Sequence, residues 1–370
     1  MSIPLSRPYF TDNSRKNILS GIDEVLKSGQ LMMGKWTSKF ESNFKICTNT
    51  DHALTVSTCT TALQISLNYF NIKDREVLVP SASFLTDISA IRWCGGIPVL
   101  VDINPDTLSF DLEDLKNKLS DKTKGILWVH LTGIISPQYK EIIDFADNNN
   151  LFLLEDCAHA HGSSIDGLPA GSLGDAGCFS FFPSKIMTTG TGGMLVTNDV
   201  NLARYTKEVR LLGRCDDDSG EICIEGNDWF MDEIRTCIGY YQLKDLGFNI
   251  TRRREIASSY SKAFSKLSKV KTIPVHLKNK PSYYQYTIIL DNSISRDEIR
   301  EILKNKYGIS SKRIYRPTHQ EEIFKEVKFD LNTLRKTEEA LNQSLCLPIY
   351  AEMSNKDVNN VIKAITSELA

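Results

Sequence analysis

The sequence predicts an α/β protein with a mostly parallel central sheet, followed by a smaller C-terminal α+β domain. Short aliphatic runs alternate with helical patterns through the first two thirds of the chain. The runs at 77–79 and 151–154 are apolar throughout, as expected of strands that are covered on both faces. This alternation changes near residue 250, so we predict one domain at residues 1–250 and a second at 251–370.

Each strand is predicted from a β-branched or aliphatic run, and each helix from apolar residues three or four positions apart. The predicted order in the first domain is strand 53–57, helix 61–70, strand 76–80, helix 84–93, strand 97–103, helix 112–119, strand 125–130, helix 139–148, strand 151–156, strand 193–197 and helix 202–212. Helices are predicted next at 232–246 and 252–267, then strand 283–291, helix 296–306, strand 309–315, and helices 331–343 and 357–367.

Composition excludes several classes of protein. Among 370 residues, 41% are hydrophobic and 24% charged, and the formal net charge is −2. No basic face is indicated, so nucleic acid is not an expected partner. No apolar run approaches the ~20 residues of a membrane span, and the first residues lack the apolar segment of a signal peptide. The nine cysteines have no C-x-x-C spacing, so we expect reduced thiols in a cytoplasmic protein and no metal site.

The most informative stretch runs from residue 174 to 190. Lys185 follows Ser180 by five residues, between a short apolar strand and a Thr/Gly-rich turn. Such a lysine can form a Schiff base with a carbonyl cofactor while the serine holds a phosphate. Asp156 ends an apolar strand, where its carboxylate can pair with a protonated pyridine nitrogen. Together they indicate pyridoxal phosphate (PLP), although alone Lys185 could be a surface lysine and Asp156 a helix cap.

Further candidates lie at other strand ends, where ligands of parallel α/β sheets bind. The turn around Cys59 and Thr60 precedes a helix whose free N–H groups can hold a phosphate, or it is an ordinary cap. Phe84 can stack on a pyridine ring or belong to the core. His159 can hydrogen-bond the phenolic oxygen of the cofactor or Asp156.

Two segments outside these strand ends are also candidates. The loop that holds Tyr315 and His319 has basic and aromatic character that could meet an anionic substrate, or it is a surface loop. Asn227 precedes a helix, where asparagine is usually a cap.

These motifs resemble the DegT/DnrJ/EryC1/StrS family of PLP-dependent sugar aminotransferases. The resemblance covers roughly residues 3–365 and is most specific at 155–198, from E-D-x-A through G-D-A-G-C-F-S-F-F-P-x-K to the T-T-G-x-G-G-M turn. It implies the aspartate-aminotransferase fold (PLP fold type I) and a homodimer.

The resemblance also implies roles for individual residues. Lys185 matches the Schiff-base lysine and Asp156 the carboxylate on the pyridine nitrogen. The remaining matches are His159 near the phenolic oxygen, Ser180 with the Cys59 and Thr60 amides at the phosphate, Phe84 on the ring, Asn227 at the neighbouring subunit's cofactor, and His319 in the substrate-side loop. Tyr315 is a substrate-side candidate only because it lies in that same loop.

Four positions depart from the family pattern. Cys59 replaces a glycine at the phosphate turn, Thr191 replaces a carboxylate, and Leu212 replaces a histidine. Trp229 and Phe230 stand where an aromatic–basic pair is common. PLP binding is still expected with these departures, but they weaken any inherited substrate assignment.

The resulting hypothesis is a transaminase that moves an amino group from glutamate or glutamine to a nucleotide-linked keto-sugar. Three alternatives stay open. The acceptor could be a cyclitol ketone or a sugar without a nucleotide. The enzyme could be a PLP-dependent sugar dehydratase, although those relatives replace the lysine by histidine. The chain could also be a non-catalytic member that has kept the fold.

Overall fold

The computed structural model describes residues 2–217, 219–327, 329 and 334–370. Within them the central sheet has seven strands in the order β1-β11-β10-β7-β6-β2-β3, and β11 is antiparallel to both of its neighbours while the other pairs are parallel. The strands are β1 (His52–Val56), β2 (Glu76–Pro80), β3 (Ile97–Val101), β4 (Ile103–Asn104), β5 (Ser109–Phe110), β6 (Thr123–Val129), β7 (Phe152–Asp156), β8 (Ser164–Ile165), β9 (Leu168–Pro169), β10 (Ala176–Ser180), β11 (Gly193–Thr197), β12 (Val270–Thr272), β13 (Asn279–Lys280), β14 (Tyr286–Leu290) and β15 (Ser344–Leu347).

Helices cover both faces of this sheet, which confirms the predicted α/β class. Val77 and Val79 of β2 belong to one buried cluster and Leu78 to another, because successive side chains of a strand point to opposite faces. The helices are α1 (Asp12–Ser28), α2 (Lys35–Thr48), α3 (Cys59–Tyr69), α4 (Leu85–Trp93), α5 (Leu112–Asn117), α6 (Tyr139–Asn148), α7 (Val200–Arg210), α8 (Glu233–Phe264), α9 (Arg296–Tyr307), α10 (Arg335–Asn342) and α11 (Asn355–Leu369). None of the described helices is both long and apolar enough to cross a membrane.

A third buried cluster is built almost wholly from the C-terminal part of the chain. It joins the end of α8 to α9, α11 and the sheet β12-β14-β15, and Ile3 from the N-terminal segment completes it. This is the α+β unit that the sequence indicates. The division between residues 250 and 251 falls inside α8 and stays a prediction.

Two element predictions differ from the structure, and a third can be compared only in part. The helices predicted at 232–246 and 252–267 are one helix of 32 residues, α8. The strand predicted at 309–315 does not form: Ile309 makes an isolated bridge to Ile3, and Lys312 makes another to Cys346. The segment therefore pairs with two different partners instead of one. Of the helix predicted at 331–343, residues 331–333 lie outside the described residues and α10 accounts for the rest.

The prediction of nine reduced cysteines is wrong for one pair. Cys215 and Cys223 form a disulfide, with Cα atoms 5.3 Å apart. An antiparallel bridge between Arg214 and Ile222 brings the two neighbouring cysteines together. The other seven cysteines are free. The C-x₇-C spacing gives no such signal by itself, since only the turn geometry brings the two thiols together.

Candidate active site

The predicted site residues meet in one cavity at the carboxyl ends of the parallel strands. Its volume is about 400 Å³. Eight of the ten predicted residues line it, namely Cys59, Thr60, Phe84, Asp156, His159, Ser180, Lys185 and Tyr315. Because β7 ends at Asp156 and β10 at Ser180, the parallel sheet brings these distant residues to a common edge.

Lys185 reaches the cavity from the loop that follows β10. Its Nζ lies 4.7 Å from the ring centroid of Tyr284. Burial lowers the pKa of Lys185, while the nearby Asp156, Cys59 and Asp87 act in the opposite direction. An amine with a lowered pKa has a larger neutral fraction, and the neutral amine is the form that attacks a carbonyl.

Asp156 presents a buried carboxylate to the same cavity. Its side-chain Oδ1 accepts a 2.8 Å hydrogen bond from the Ala158 backbone N–H, and Cys59 Sγ lies 3.8 Å from this oxygen. Burial raises the pKa of Asp156, whereas the Ala158 hydrogen bond and the charges of Lys185 and His130 lower it. A carboxylate so enclosed is suited to bind a protonated ring nitrogen, which supplies the missing positive charge.

The first turn of α3 forms the polar end of the cavity. Thr58 caps this helix, and its Oγ1 accepts a 3.0 Å hydrogen bond from the Thr61 N–H. The N–H groups of Cys59 and Thr60 belong to the first turn, where no helical carbonyl is available to them. Such N–H groups beside the hydroxyl of Ser180 make an arrangement that binds phosphate.

Gly193 lets strand β11 pass this phosphate turn. A Cβ atom at this position would lie 2.4 Å from the carbonyl carbon of Thr58 and 2.6 Å from the nitrogen of Cys59. No side chain fits at that distance, so the glycine allows β1 and β11 to pair directly beneath the turn.

His159 is held in one tautomer. Its Nδ1 accepts a hydrogen bond from the Thr132 backbone N–H at 3.3 Å, so the ring proton is on Nε2, 2.8 Å from the Tyr315 hydroxyl. Burial lowers the pKa of His159 well below its usual value, and the charges of Lys185 and Lys312 add to this effect. The neutral imidazole therefore donates to Tyr315, whose own O–H is left to donate elsewhere.

Phe84 lies at the edge of the cavity. Its side chain is 42% exposed and its ring centroid is 5.3 Å from that of Tyr315. The exposure excludes the alternative that Phe84 is an ordinary core residue. The two rings together form an apolar boundary to the opening of the site.

The structure does not place His319 among the lining residues. Its Nδ1 is 2.9 Å from Ser81 Oγ and its Nε2 is 2.8 Å from Glu338 Oε1. Both ring nitrogens are therefore engaged, and the ring joins its loop to β2 and α10. A contact between His319 and the substrate stays a prediction.

Asn227 lies on the surface, also outside the lining of the cavity. Its backbone carbonyl accepts a hydrogen bond from the Leu212 N–H at 3.0 Å, and its side-chain Oδ1 accepts one from the Asp228 N–H at 2.9 Å. Its predicted role at a neighbouring subunit stays a prediction.

Several lining residues were missed by sequence reasoning. They are Thr58, Thr86, Asp87, Ser184, Tyr284 and Lys312, with Thr191 noted only as a departure. Asp87 carries a signal that could have been found, because it is an acidic residue in the first turn of the helix after Phe84. Tyr284 and Lys312 carry none, since only tertiary packing brings them to the cavity.

A buried cluster beside the cavity contains side chains of metal-ligand type, His130, Glu155 and Cys157. Glu155 is already engaged: it lies 2.7 Å from His130 Nε2 and accepts backbone N–H groups, including those of Gly171 and Leu173. We interpret the cluster as a brace between β7 and the loop before β10. The expectation of no metal site stays a prediction.

The cavity therefore combines an amine, a buried carboxylate and a helix N-terminus with hydroxyl groups. These complement the carbonyl, the ring nitrogen and the phosphate of PLP. One carboxylate oxygen of a lining residue, Asp87 Oδ2, is also buried without a hydrogen-bond partner in the structure. The residues fit the cofactor, and together the fold and the site define a PLP enzyme of fold type I.

Comparisons with known proteins narrow this class. The model of the DegT/DnrJ/EryC1/StrS aminotransferase family matches residues 12–366. The GDP-perosamine synthase of Escherichia coli O157:H7 is 30% identical over 367 residues, which cover 98% of this chain and 97% of that protein.

Solved structures agree with the family match. The aminotransferase TlmJ from Streptoalloteichus hindustanus superposes with a TM-score of 0.91 at 30% identity, over 99% of this chain and 98% of that one. Helicobacter pylori PseC, an aminotransferase involved in the biosynthesis of pseudoaminic acid, superposes with a TM-score of 0.93 at 27% identity, over 100% and 99%. The chain belongs to the DegT/DnrJ/EryC1/StrS family of PLP-dependent aminotransferases, which confirms the predicted family, fold type, enzyme class and cofactor.

Proposed function

We propose that this aminotransferase moves an amino group from glutamate or glutamine to a keto-sugar linked to a nucleoside diphosphate. The observation that carries the proposal is the meeting of Lys185 and Asp156 in one cavity of a chain of this family. The sugar and its nucleotide are suggested by the GDP-perosamine synthase that matches the chain over almost its full length.

The cofactor, when bound, supplies an electron sink for the charge that develops at the carbon bearing the amino group. Lys185 would hold the cofactor through its carbonyl carbon and, once displaced by the amino group of the substrate, would carry the proton at the amino-bearing carbon. Asp156 would accept a hydrogen bond from the protonated ring nitrogen, and the amides of Cys59 and Thr60 with the Ser180 hydroxyl would hold the phosphate.

Lys312 is our candidate for recognition of the substrates. It lines the cavity, and within the described residues no ion pair joins it to an acidic side chain. Both proposed substrates are anionic, since the amino donor carries carboxylates and the acceptor carries a diphosphate. A cation without a carboxylate partner at this place favours such substrates over neutral ones.

The test separates the two half-reactions. The holoenzyme is mixed with glutamate or glutamine and its visible spectrum is followed. A nucleotide-linked keto-sugar is then added and the amino-sugar is sought by mass spectrometry. Parallel reactions use the same keto-sugar without its nucleotide and a cyclitol ketone.

We expect conversion of the cofactor by one of the two donors and product only from the nucleotide-linked acceptor. The Lys185→Ala variant is the control for product that does not depend on the site. Product from the cyclitol ketone alone would assign the other acceptor class, and no product from any ketone would exclude transamination of these substrates.

The proposal includes a homodimer in the cytoplasm, in which Asn227 completes the neighbouring site. The exposed position of Asn227 supports the shared site. A mixture of Lys185→Ala and Asn227→Ala chains tests it, because a mixed dimer holds one site with both residues intact. We expect activity to reappear when the two weak variants are unfolded and refolded together, up to about a quarter of the wild-type value by random pairing. Activity no higher than the sum of the separately refolded variants would contradict sharing.

A further inference from the structure

We infer that Asp87 is a positioning residue for Asp156: the two carboxyl groups share a proton, and Asp87 thereby holds the Asp156 carboxylate in its place in the cavity. The pairing itself concerns the protein without ligand. Its consequence for the cofactor rests on the proposed function of Asp156.

The position of Asp87 follows from the start of helix α4. It is the third residue of that helix, and its backbone N–H donates to the Phe84 carbonyl at 3.0 Å. This places its side chain in the lining of the cavity, where the residue is only 1% exposed. One of its oxygens, Oδ2, is buried with no hydrogen-bond partner. A buried ionised carboxylate in such surroundings is costly, so the group needs either a proton or a cation.

The neighbouring carboxyl group supplies the partner. Burial raises the pKa of Asp87 well above its usual value, and the charge of Asp156 and a hydrogen bond to Asp156 raise it further. The Phe84 backbone N–H and the charge of Lys185 act in the opposite direction. Asp87 and Asp156 line the same cavity and both are buried. Two interacting carboxyl groups in such a site do not both ionise, so we place one shared proton on the pair.

The other titratable groups around Asp87 do not remove the need for a shared proton. Those coupled to Asp87 by charge are Asp156, Lys185, Cys59, Cys178 and Tyr315. Burial raises the pKa of both thiols and of the tyrosine well above their usual values, so these three are neutral near pH 7. One shared proton then leaves one negative charge on the carboxyl pair, which faces Lys185 and, on the Asp156 side, His130.

The chemistry of the pair dictates how substitutions behave. A protonated Asp87 donates a hydrogen bond to the ionised Asp156, and the amide of Asp87→Asn can donate in the same way. Asp87→Leu fills similar space but cannot donate. Asparagine should therefore preserve the position of Asp156, whereas leucine should not.

The first test uses the protein without cofactor and follows stability against pH. An unfolded aspartate loses its proton near pH ~4, whereas folded Asp87 keeps it to higher pH. Between these two pKa values the folded state binds one more proton than the unfolded state, so its stability falls as pH rises. The unfolding constant of the wild type should rise about tenfold per pH unit relative to Asp87→Asn in this window.

The second test measures PLP binding to the same proteins by titration of the visible band. We expect Asp87→Asn to bind within about threefold of the wild type, and Asp87→Leu to bind at least about tenfold more weakly, since a hydrogen bond to a charged group is lost. Ser89→Ala on the same helix, whose hydroxyl only bonds the Leu85 carbonyl, is the control for damage to α4.

The outcomes are separable. If the unfolding constants of the wild type and Asp87→Asn change with pH in the same way, the shared proton is overturned. If Asp87→Asn and Asp87→Leu weaken PLP binding equally, the positioning role is overturned. If the Asp87→Leu protein does not fold, the pH profile of Asp87→Asn still tests the shared proton. Failure of the wild type to bind PLP would refute the proposed function, while the test without cofactor would still decide the pairing.

Discussion

The cavity has two walls that differ in origin and in electrostatics. The strand-end wall is formed by residues that end or follow a strand of the central sheet or begin the helix after such a strand. They are Cys59, Thr60, Asp156, Ser180 and Lys185. The C-terminal wall, formed by Tyr284, Lys312 and Tyr315, comes from segments more than 90 residues further along the chain. Each wall has one lysine, and the different surroundings of the two lysines suggest different roles for the two walls.

Lys185 and Lys312 have different surroundings. Lys185 is partly buried beside Asp156, and burial lowers its pKa. Lys312 also lines the cavity, but it is exposed. A lysine in the first environment serves as a nucleophile and a proton carrier, whereas one in the second serves as a fixed positive charge. We therefore propose that the strand-end wall carries the covalent chemistry and that the C-terminal wall recognises charge.

The largest effect should come from removing the first lysine. Lys185→Ala should abolish covalent attachment of PLP and lower kcat by at least about 10²–10⁴, since a nucleophile and a proton carrier are lost together. The visible band and the transamination rate measure this. Lys312→Ala is the matched control, because it removes a lysine from the same cavity. Equal loss of the band in both variants would contradict the division between the walls.

A smaller effect should come from removing the second lysine. Lys312→Ala should raise KM for an anionic substrate about tenfold with little change in kcat, because a charge-assisted contact is lost while the chemistry stays intact. Lys312→Arg keeps the charge and should restore most of the affinity. Initial rates at low and high salt check the assignment, since the advantage of the wild type should shrink as salt rises. A fall in kcat with KM unchanged would mean that Lys312 takes part in the chemical step.

The smallest effect should come from Tyr315→Phe, which removes the hydroxyl 2.8 Å from His159 Nε2. A neutral hydrogen bond contributes about 0.5–1.5 kcal/mol, so catalytic efficiency should fall about two- to tenfold. Steady-state kinetics with both substrates measure this. An unchanged rate would show that the His159–Tyr315 contact connects the walls without supporting the reaction, and a complete loss would place Tyr315 in the chemical step.

The strand-end wall was predictable because its rules are local. A short apolar strand that ends in Asp156 places that carboxylate at the ligand edge of the sheet, and the glycine-bounded motif around Lys185 restricts what can surround the lysine. The same rule placed Cys59 and Thr60 at the helix that follows β1. The strands of the central sheet and most helices were also found, since the strands are short apolar runs and the helices have apolar residues three or four positions apart.

The C-terminal wall was only partly predictable because its geometry comes from packing. Tyr315 was a candidate, but its hydrogen bond joins residues 156 positions apart in sequence. His319 is engaged by Ser81 and Glu338, which the sequence does not connect to it.

Two other errors share this tertiary cause. Helix α8 was divided at 247–251, where Gly247 and Asn249 disfavour a helix, yet Asn249 and Ile250 are buried within it and packing overrides propensity. The Cys215–Cys223 disulfide likewise depends on a turn that the spacing of the two residues does not specify.

The central claim is that Lys185, and not Lys312, binds the carbonyl of the cofactor. The most direct measurement is borohydride reduction of the PLP-loaded wild type, followed by proteolysis and mass spectrometry to locate the modified lysine. The account predicts the phosphopyridoxyl group on the peptide containing Lys185, and its absence from the peptide containing Lys312. Modification of Lys312 with Lys185 unmodified would contradict the account, because the wall assigned to substrate recognition would then hold the cofactor.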